Sequence, residues 1–138
     1  MPLTLIVTEG VIPQDREQAT MARLSEAFIK LHGLTGNTFI TPNVIGFIEV
    51  LPRGRTYSAM RATPVAIVEW KVPSFAFTKR DVQTAYVEEA TAIIHEMSGG
   101  KHPKEHTWVN VTYAVDGPWG IAGKAYTNAE MGAMVSKG

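Results

Sequence analysis

The chain has 138 residues, of which 45% are hydrophobic, and this is enough to build one compact domain. Thirteen basic residues balance thirteen acidic ones without a run of like charge, which argues against nucleic acid or a membrane surface as partner and favours a small-molecule ligand. The sequence has no cysteine, no signal-peptide pattern and no apolar run of roughly 20 residues that could span a bilayer, so we expect a cytoplasmic protein without disulfides.

The first 51 residues predict a strand, a helix and a second strand. Segments 3–8 and 44–51 are apolar and β-branched, and Glu9-Gly10 breaks the first of them. Between them, Pro13 suits a first helical turn and Gly33 suits the end of an amphipathic helix. The apolar side of this helix consists of Met21, Leu24, Phe28 and Leu31.

The same order of elements recurs in the second half. Segment 64–72 predicts a strand, Thr78 is the expected N-cap of a helix that ends at Gly99-Gly100, and segment 107–115 predicts the last strand. Aligning Pro2 with Pro64 gives a period of about 62 residues, which indicates a duplication. The single domain, 1–138, then comprises repeat 1 (about 2–51), a linker (52–63), repeat 2 (about 64–116) and a C-terminal hairpin and tail (117–138).

Two such repeats predict an α/β (α+β) fold of tandem β-α-β units, with a four-stranded sheet and both helices on one face. A β-α-β crossover is right-handed and makes its two strands parallel. Leu3, Leu5 and Val7 alternate with Ile6, so the first strand is apolar on both faces. Because no other segment could cover the second face, we expect a homo-oligomer in which these faces pack together.

Pro2 is the first candidate for chemistry. Methionine aminopeptidase removes Met1 before a small second residue, and this leaves a secondary amine that can accept a proton. An apolar pocket lowers the pKa of an amine toward the range in which a general base works best. The alternative is that proline follows the initiator by chance, and a retained Met1 would turn the Pro2 nitrogen into an amide without basicity.

The segment 116–124 combines flexible glycines with one large aromatic residue, Trp119. It predicts either the rim of a pocket or a hairpin whose tryptophan packs in the core, since aromatic side chains bury large areas in either case.

These features together resemble the tautomerase superfamily, in particular 4-oxalocrotonate tautomerase. The resemblance rests on Pro2, the strand ending in Thr8-Glu9-Gly10, and the closing segment around Trp119. The tandem arrangement and the segment 31–36 resemble the longer branch that includes cis-3-chloroacrylic acid dehalogenase. The resemblance implies a homotrimer and a cofactor-free pocket around Pro2. It also implies keto–enol proton transfer on a small 2-oxo or 2-hydroxy-dienoate acid, with Trp119 as the aromatic residue in the pocket.

Several positions depart from the pattern of that family. Val11 and Trp108 stand where the short members carry arginines that bind carboxylate. After the third strand, the dehalogenase branch uses an arginine pair, and this chain offers only Lys71. Asn110 and Ile121 stand roughly where that branch has a tyrosine and a glutamate, which argues against dehalogenation or hydration.

A carboxylate substrate would need a replacement cation. Arg53, Arg55 and Arg61 in the linker, and Lys71, are the candidates, since either a guanidinium or an ammonium group can bind a carboxylate. Each of them could equally be a solvated surface charge. Asn110 could donate a hydrogen bond to a developing enolate, or it could face solvent or a subunit boundary.

The histidines predict structural roles and not a metal site. His102 and His106 are four residues apart, but Pro103 between them opposes the helix that would align their rings, and no third ligand cluster is present. His32 at a helix end suits capping of the last carbonyls.

We therefore expect a cofactor-independent, homotrimeric keto–enol isomerase with Pro2 as general base. One rival is a decarboxylase or dehalogenase on the same scaffold in which a cationic Pro2 acts as an acid. A second rival is a non-catalytic oligomeric binding protein, since a fold alone does not fix function.

Overall fold

The computed structural model describes all residues from 1 to 138. Its eight strands and three α-helices follow one another as β1 (Pro2–Thr8), α1 (Glu17–Leu31), β2 (Ile45–Leu51), β3 (Tyr57–Ser58), β4 (Arg61–Ala62), β5 (Ala66–Pro73), α2 (Arg80–Met97), β6 (Thr107–Ala114), β7 (Trp119–Ile121), β8 (Lys124–Tyr126) and α3 (Asn128–Lys137). None of the helices combines the length and the apolar character needed to cross a membrane.

The main sheet has the strand order β2-β1-β5-β6. β1 and β2 pair in parallel, as do β5 and β6, while the two central strands β1 and β5 pair antiparallel. The predicted four-stranded sheet of two β-α-β units is thus confirmed, and its units are related by an approximate two-fold axis between β1 and β5. This antiparallel pairing places the start of β1 near the end of β5, and the start of β5 near the end of β1.

One core fills the space between the sheet and the two long helices. The ring of Trp70 on β5 stacks on Phe28 of α1, with ring centroids 4.4 Å apart and planes inclined by 25°. Its Nε1–H donates to the hydroxyl of Tyr86 on α2 over 2.7 Å, and that hydroxyl donates to the carbonyl oxygen of Leu24 over 3.2 Å. Because Trp70 and Tyr86 are fully buried, these bonds fix both helices against the central strands.

The other face of the sheet carries no helix. Ile45, Phe47 and Trp108 lie on this bare face and are exposed to 56%, 49% and 41%. The carboxylates of Glu49 and Glu69 share the face with them by strand register. Its exposed apolar groups are of the kind that usually mark a contact with another surface.

One prediction about local structure needs correction, and one helix was not expected. Thr78 is not the N-cap of α2, because the helix begins one residue later than expected, with Lys79 in extended conformation at the cap position and no side-chain cap bond. The Gln83 side chain instead donates to the carbonyl oxygen of Phe77 over 2.6 Å. The tail after residue 126 is also helical, and the Thr127 side chain forms a capping box with Glu130 at its start.

The linker between the repeats contains a small hairpin, β3–β4, with Ala59 and Met60 in its turn, both at positive φ. The C-terminal hairpin, β7–β8, likewise has two residues at positive φ in its turn, Ala122 and Gly123. Each repeat is therefore followed by a two-residue hairpin whose turn matches the twist of its strands.

Candidate active site

Pro2 lies in a cleft of about 310 Å³ at one end of the sheet. It is the first residue of β1 and pairs with Ile45 at the start of β2, while the hairpin β7–β8 supplies Trp119 and Ile121. The lining residues are Met1, Pro2, Asn43, Ile45, Trp119, Gly120 and Ile121. We call this the Pro2 cleft. It is lined by backbone, apolar side chains and one amide side chain, and no ionisable side chain contributes to it.

The N-terminal amine lies in the same place. Met1 is buried, with 7% of its surface exposed, and its amine donates a hydrogen bond to the backbone carbonyl oxygen of Asn43. Burial lowers the pKa of this amine from 8.0 to about 6, because desolvation disfavours the charged form. The Met1 amine is therefore neutral in a larger fraction of molecules near pH 7 than a solvent-exposed N-terminal amine would be.

The C-terminal segment holds the hairpin against this end of the sheet. Tyr126, which pairs with Trp119, contacts Phe39 with ring centroids 6.2 Å apart. The Asn37 side chain donates to the carbonyl oxygen of Val135 on α3 over 2.8 Å. The loop before β2 and helix α3 therefore position the aromatic wall of the Pro2 cleft.

The structure brings three of the predicted site residues together, namely Pro2, Trp119 and Ile121. The other predicted residues lie elsewhere on the chain. Lys71 and Asn110 are exposed on the bare face, and Trp108 on the same face stacks on His106, with ring centroids 6.5 Å apart and planes inclined by 5°. No cation of the same chain lines the Pro2 cleft.

The three arginines of the linker lie in different surroundings. Arg55 and Arg61 are exposed and line neither the Pro2 cleft nor the one described next. Arg53 lies against the loop after β1, where its Nε donates to the backbone carbonyl oxygen of Glu9 over 3.4 Å.

A second cleft, of about 540 Å³, lies at the opposite end of the central strands, around Pro64. We call it the Pro64 cleft. It is the counterpart of the Pro2 cleft under the approximate two-fold axis, since Pro64 aligns with Pro2 and Ala62 of the first hairpin lines it. Its other lining residues are Thr8, Glu9, Gly10, Val11, Arg53, Gly54, Thr63, Ser98, Lys101, His102, Pro103 and His106.

The histidines are engaged in structural hydrogen bonds. His32 donates through Nδ1 to the carbonyl oxygen of Phe28 over 2.8 Å and accepts at Nε2 from the Phe77 amide over 3.2 Å, and burial lowers its pKa. His102 donates through Nε2 to the carbonyl oxygen of His106 over 3.0 Å, and burial lowers its pKa as well. No group of three or more His, Cys, Asp or Glu side chains is arranged to hold a metal ion.

Sequence reasoning did not identify Asn43 as a partner of the N-terminal amine, and no motif marks it, because its backbone oxygen is what the amine contacts. It also did not identify the Pro64 cleft, although the alignment of Pro64 with Pro2 is a signal that could have found it.

No protein-family model and no curated protein sequence matches the chain significantly. Among solved structures, a member of the cis-3-chloroacrylic acid dehalogenase family, N1, aligns with a TM-score of 0.75 at 18% identity, covering 96% of this chain and 90% of that chain. A symmetric trimer of wild-type fused 4-OT aligns with a TM-score of 0.75 at 13% identity, covering 96% and 99%. A malonate semialdehyde decarboxylase inhibited by 3-bromopropiolate aligns with a TM-score of 0.66 at 6% identity, covering 88% and 89%. The chain thus has the tautomerase-superfamily fold, as its sequence resemblance implied.

Proposed function

We propose that the chain, once Met1 is removed, is a cofactor-independent tautomerase with the Pro2 amine as general base. The observation that carries the proposal is the Pro2 cleft, where the start of β1 meets Trp119 and no ionisable side chain is present. A pocket of this kind lowers the pKa of an amine and so favours its neutral form. The substrate is a small 2-oxo or 2-hydroxy-dienoate acid. Keto–enol transfer requires fewer polar groups in the cleft than dehalogenation does, because the base needs no activated water.

The reaction needs one group that accepts and returns a proton. The neutral Pro2 amine takes the proton of the enol hydroxyl, and the electron pair left behind forms the carbonyl group and shifts negative charge to carbon. The resulting cationic amine then delivers a proton to that carbon, so that the amine is regenerated and no atom is gained or lost. Trp119 and Ile121 exclude water from this exchange.

The carboxylate of such a substrate requires a cation that the Pro2 cleft of a single chain does not contain. We propose that the protein is a homotrimer and that a neighbouring copy supplies this cation, with Arg55, Arg61 and Lys71, which line neither cleft of their own chain, as candidates. The exposed Ile45, Phe47 and Trp108 of the bare face support an oligomer, as does the fold shared with the fused 4-OT trimer. If the protein sediments as a monomer at micromolar concentration, this assembly is ruled out.

The test is ketonisation of phenylenolpyruvate, followed by ultraviolet absorbance, with the wild type beside Pro2→Ala. Mass spectrometry first confirms that Met1 is absent from both. We expect Pro2→Ala to lower kcat/KM by at least about 100-fold, which is the smaller end of what a general base contributes.

The pH dependence of activity distinguishes a proline that acts as a base from a proline that acts as an acid. A proline base must be neutral, so activity falls on the acid side as the amine takes up a proton. A cationic proline acid in a decarboxylase or dehalogenase would lose activity on the alkaline side instead. No turnover by a correctly processed oligomer would favour the binding-protein alternative.

A further inference from the structure

The Pro64 cleft differs from the Pro2 cleft in its charge. Arg53 and Lys101 both line it, and Glu9 is the one carboxylate among its lining residues. The salt bridges of the chain are Arg23–Glu96 and Lys124–Glu130, so neither cation of the cleft is neutralised by a carboxylate. Two unpaired cations in one concave surface provide the charge that an anion would need.

The guanidinium of Arg53 lies against the loop after β1. Its Nε donates to the backbone carbonyl oxygen of Glu9 over 3.4 Å, and Gly10 has a φ of +86° beside it. A Cβ at Gly10 would lie 2.7 Å from the guanidinium Nη2, so a side chain there would displace the guanidinium from the loop. The guanidinium makes no other hydrogen bond within the chain, so its remaining donors are available to a ligand.

The wall of the cleft around Lys101 is held by hydrogen bonds between side chains and the backbone. The amide of His102 donates to the Ser98 hydroxyl over 3.0 Å, and His95 Nδ1 donates to the carbonyl oxygen of His102 over 2.8 Å. With Nε2 of His102 bonded to the His106 carbonyl oxygen, this wall is fixed on both sides of Lys101. Arg53 and Lys101 therefore both line one cleft that is present without a ligand.

The chemistry of the Pro2 cleft is absent here. The Pro64 nitrogen is an amide within the chain, so it carries no proton and cannot act as a base.

We propose that the Pro64 cleft binds a small oxyanion, a carboxylate or a phosphate, between Arg53 and Lys101 without transforming it. This site is separate from the Pro2 cleft, and the inference does not depend on the function proposed for Pro2. A guanidinium and an ammonium group suit an anion with several acceptor oxygens, because each charge-assisted hydrogen bond is stronger than a neutral one.

The experiment is a titration of the isotope-labelled full chain with pyruvate and, separately, with inorganic phosphate, followed by amide chemical shifts. We expect saturable shifts at Gly54, Lys101 and His102 with at least one of the two anions, and the anion that binds tells carboxylate from phosphate. The same shifts are expected in Pro2→Ala, which leaves this cleft intact and so separates this inference from the function proposed for Pro2.

Matched variants identify the cations. Arg53→Gln should weaken binding at least about tenfold, since a hydrogen bond to a charged group contributes roughly 1.5 to 3 kcal/mol. Lys101→Gln should weaken it as well, whereas Arg55→Gln, two residues away and outside the cleft, should leave affinity within about twofold. Absence of shifts with both anions would overturn the proposal. So would shifts confined to Gly120 and Ile121, or affinity equal in Arg53→Gln and wild type.

Discussion

The two clefts occupy equivalent places in the two repeats and yet have opposite chemistry. Pro2 is the first residue of β1 and Pro64 lies two residues before β5, and in each cleft the hairpin that follows the other repeat contributes to the wall. The Pro2 cleft is lined without ionisable side chains and contains the buried N-terminal amine, whereas the Pro64 cleft is lined by the side-chain cations of Arg53 and Lys101, and its proline nitrogen is an amide. The duplicated scaffold thus supplies two similar cavities, and the position of the chain terminus determines which of the two prolines can have a basic nitrogen.

A second difference lies outside the sheet. The hairpin at the Pro2 cleft is followed by α3, which bonds back to Asn37, whereas the hairpin at the Pro64 cleft leads directly into β5. Only one cleft therefore has a wall braced by an additional helix.

The largest effect is expected when the Pro2 nitrogen is an amide, as the Pro64 nitrogen is. Wild-type protein that retains Met1, from cells in which methionine aminopeptidase is inhibited, has an amide at Pro2. We expect its ketonisation rate to be lower by about 10² to 10⁴, the contribution of a general base, while anion binding at the Pro64 cleft is unchanged. Equal rates in the two forms, with their N-termini verified by mass spectrometry, would contradict a role for the proline nitrogen.

The next test asks whether one core supports both clefts. Tyr86→Phe removes the acceptor of the Trp70 indole N–H in a fully buried position. We expect the free energy of unfolding in urea to fall by about 1 to 3 kcal/mol, the cost of an unsatisfied buried donor. Tyr57→Phe, at a residue that is 64% exposed, is the matched control and should change it by less than about 0.5 kcal/mol.

If the core is shared, amide signals from the two clefts disappear at the same urea concentration in Tyr86→Phe. Separate transitions would show that the two repeats unfold independently.

The smallest effect is expected for helix α3, which supports the hairpin at the Pro2 cleft. Thr127→Ala removes the N-cap of α3 and should destabilise that helix by about 1 kcal/mol. Hydrogen exchange of the α3 amides should quicken, kcat/KM for ketonisation should fall a few-fold, and anion binding at the Pro64 cleft should stay the same. Ser136→Ala, in the last turn of the helix, is the control. Equal exchange in both variants would mean that the capping box does not hold α3 in place.

The fold could be predicted from the sequence because its apolar runs are long and regular. Leu3, Leu5 and Val7 on one strand and the recurrence at Pro64 define the two units without further information. The antiparallel pairing of β1 with β5 could not be derived this way, since it depends on contacts between strands far apart in sequence. Helix α3 was missed because Gly132 interrupts a short and weakly amphipathic segment, although Thr127 and Glu130 have the spacing of a capping box.

The candidate site was predictable only in part. Trp119 could be associated with Pro2 through family resemblance, but nothing in the local sequence says that their two segments meet. The position of Arg53 depends on a contact with Glu9, 44 residues earlier in the chain, which no local pattern indicates. The hairpin β3–β4 was also not predicted, because its turn at Ala59 and Met60 lacks the glycine or asparagine that usually marks one. The Thr78 prediction was wrong by one residue, which is within the usual uncertainty of helix boundaries.

The burial of Met1 also bears on how the Pro2 nitrogen becomes free. A peptidase must reach the first residue and its peptide bond, and in the folded chain that residue is buried with its amine bonded to Asn43. Removal of Met1 from the folded chain would therefore require the start of β1 to leave the sheet, whereas removal before folding meets no such barrier.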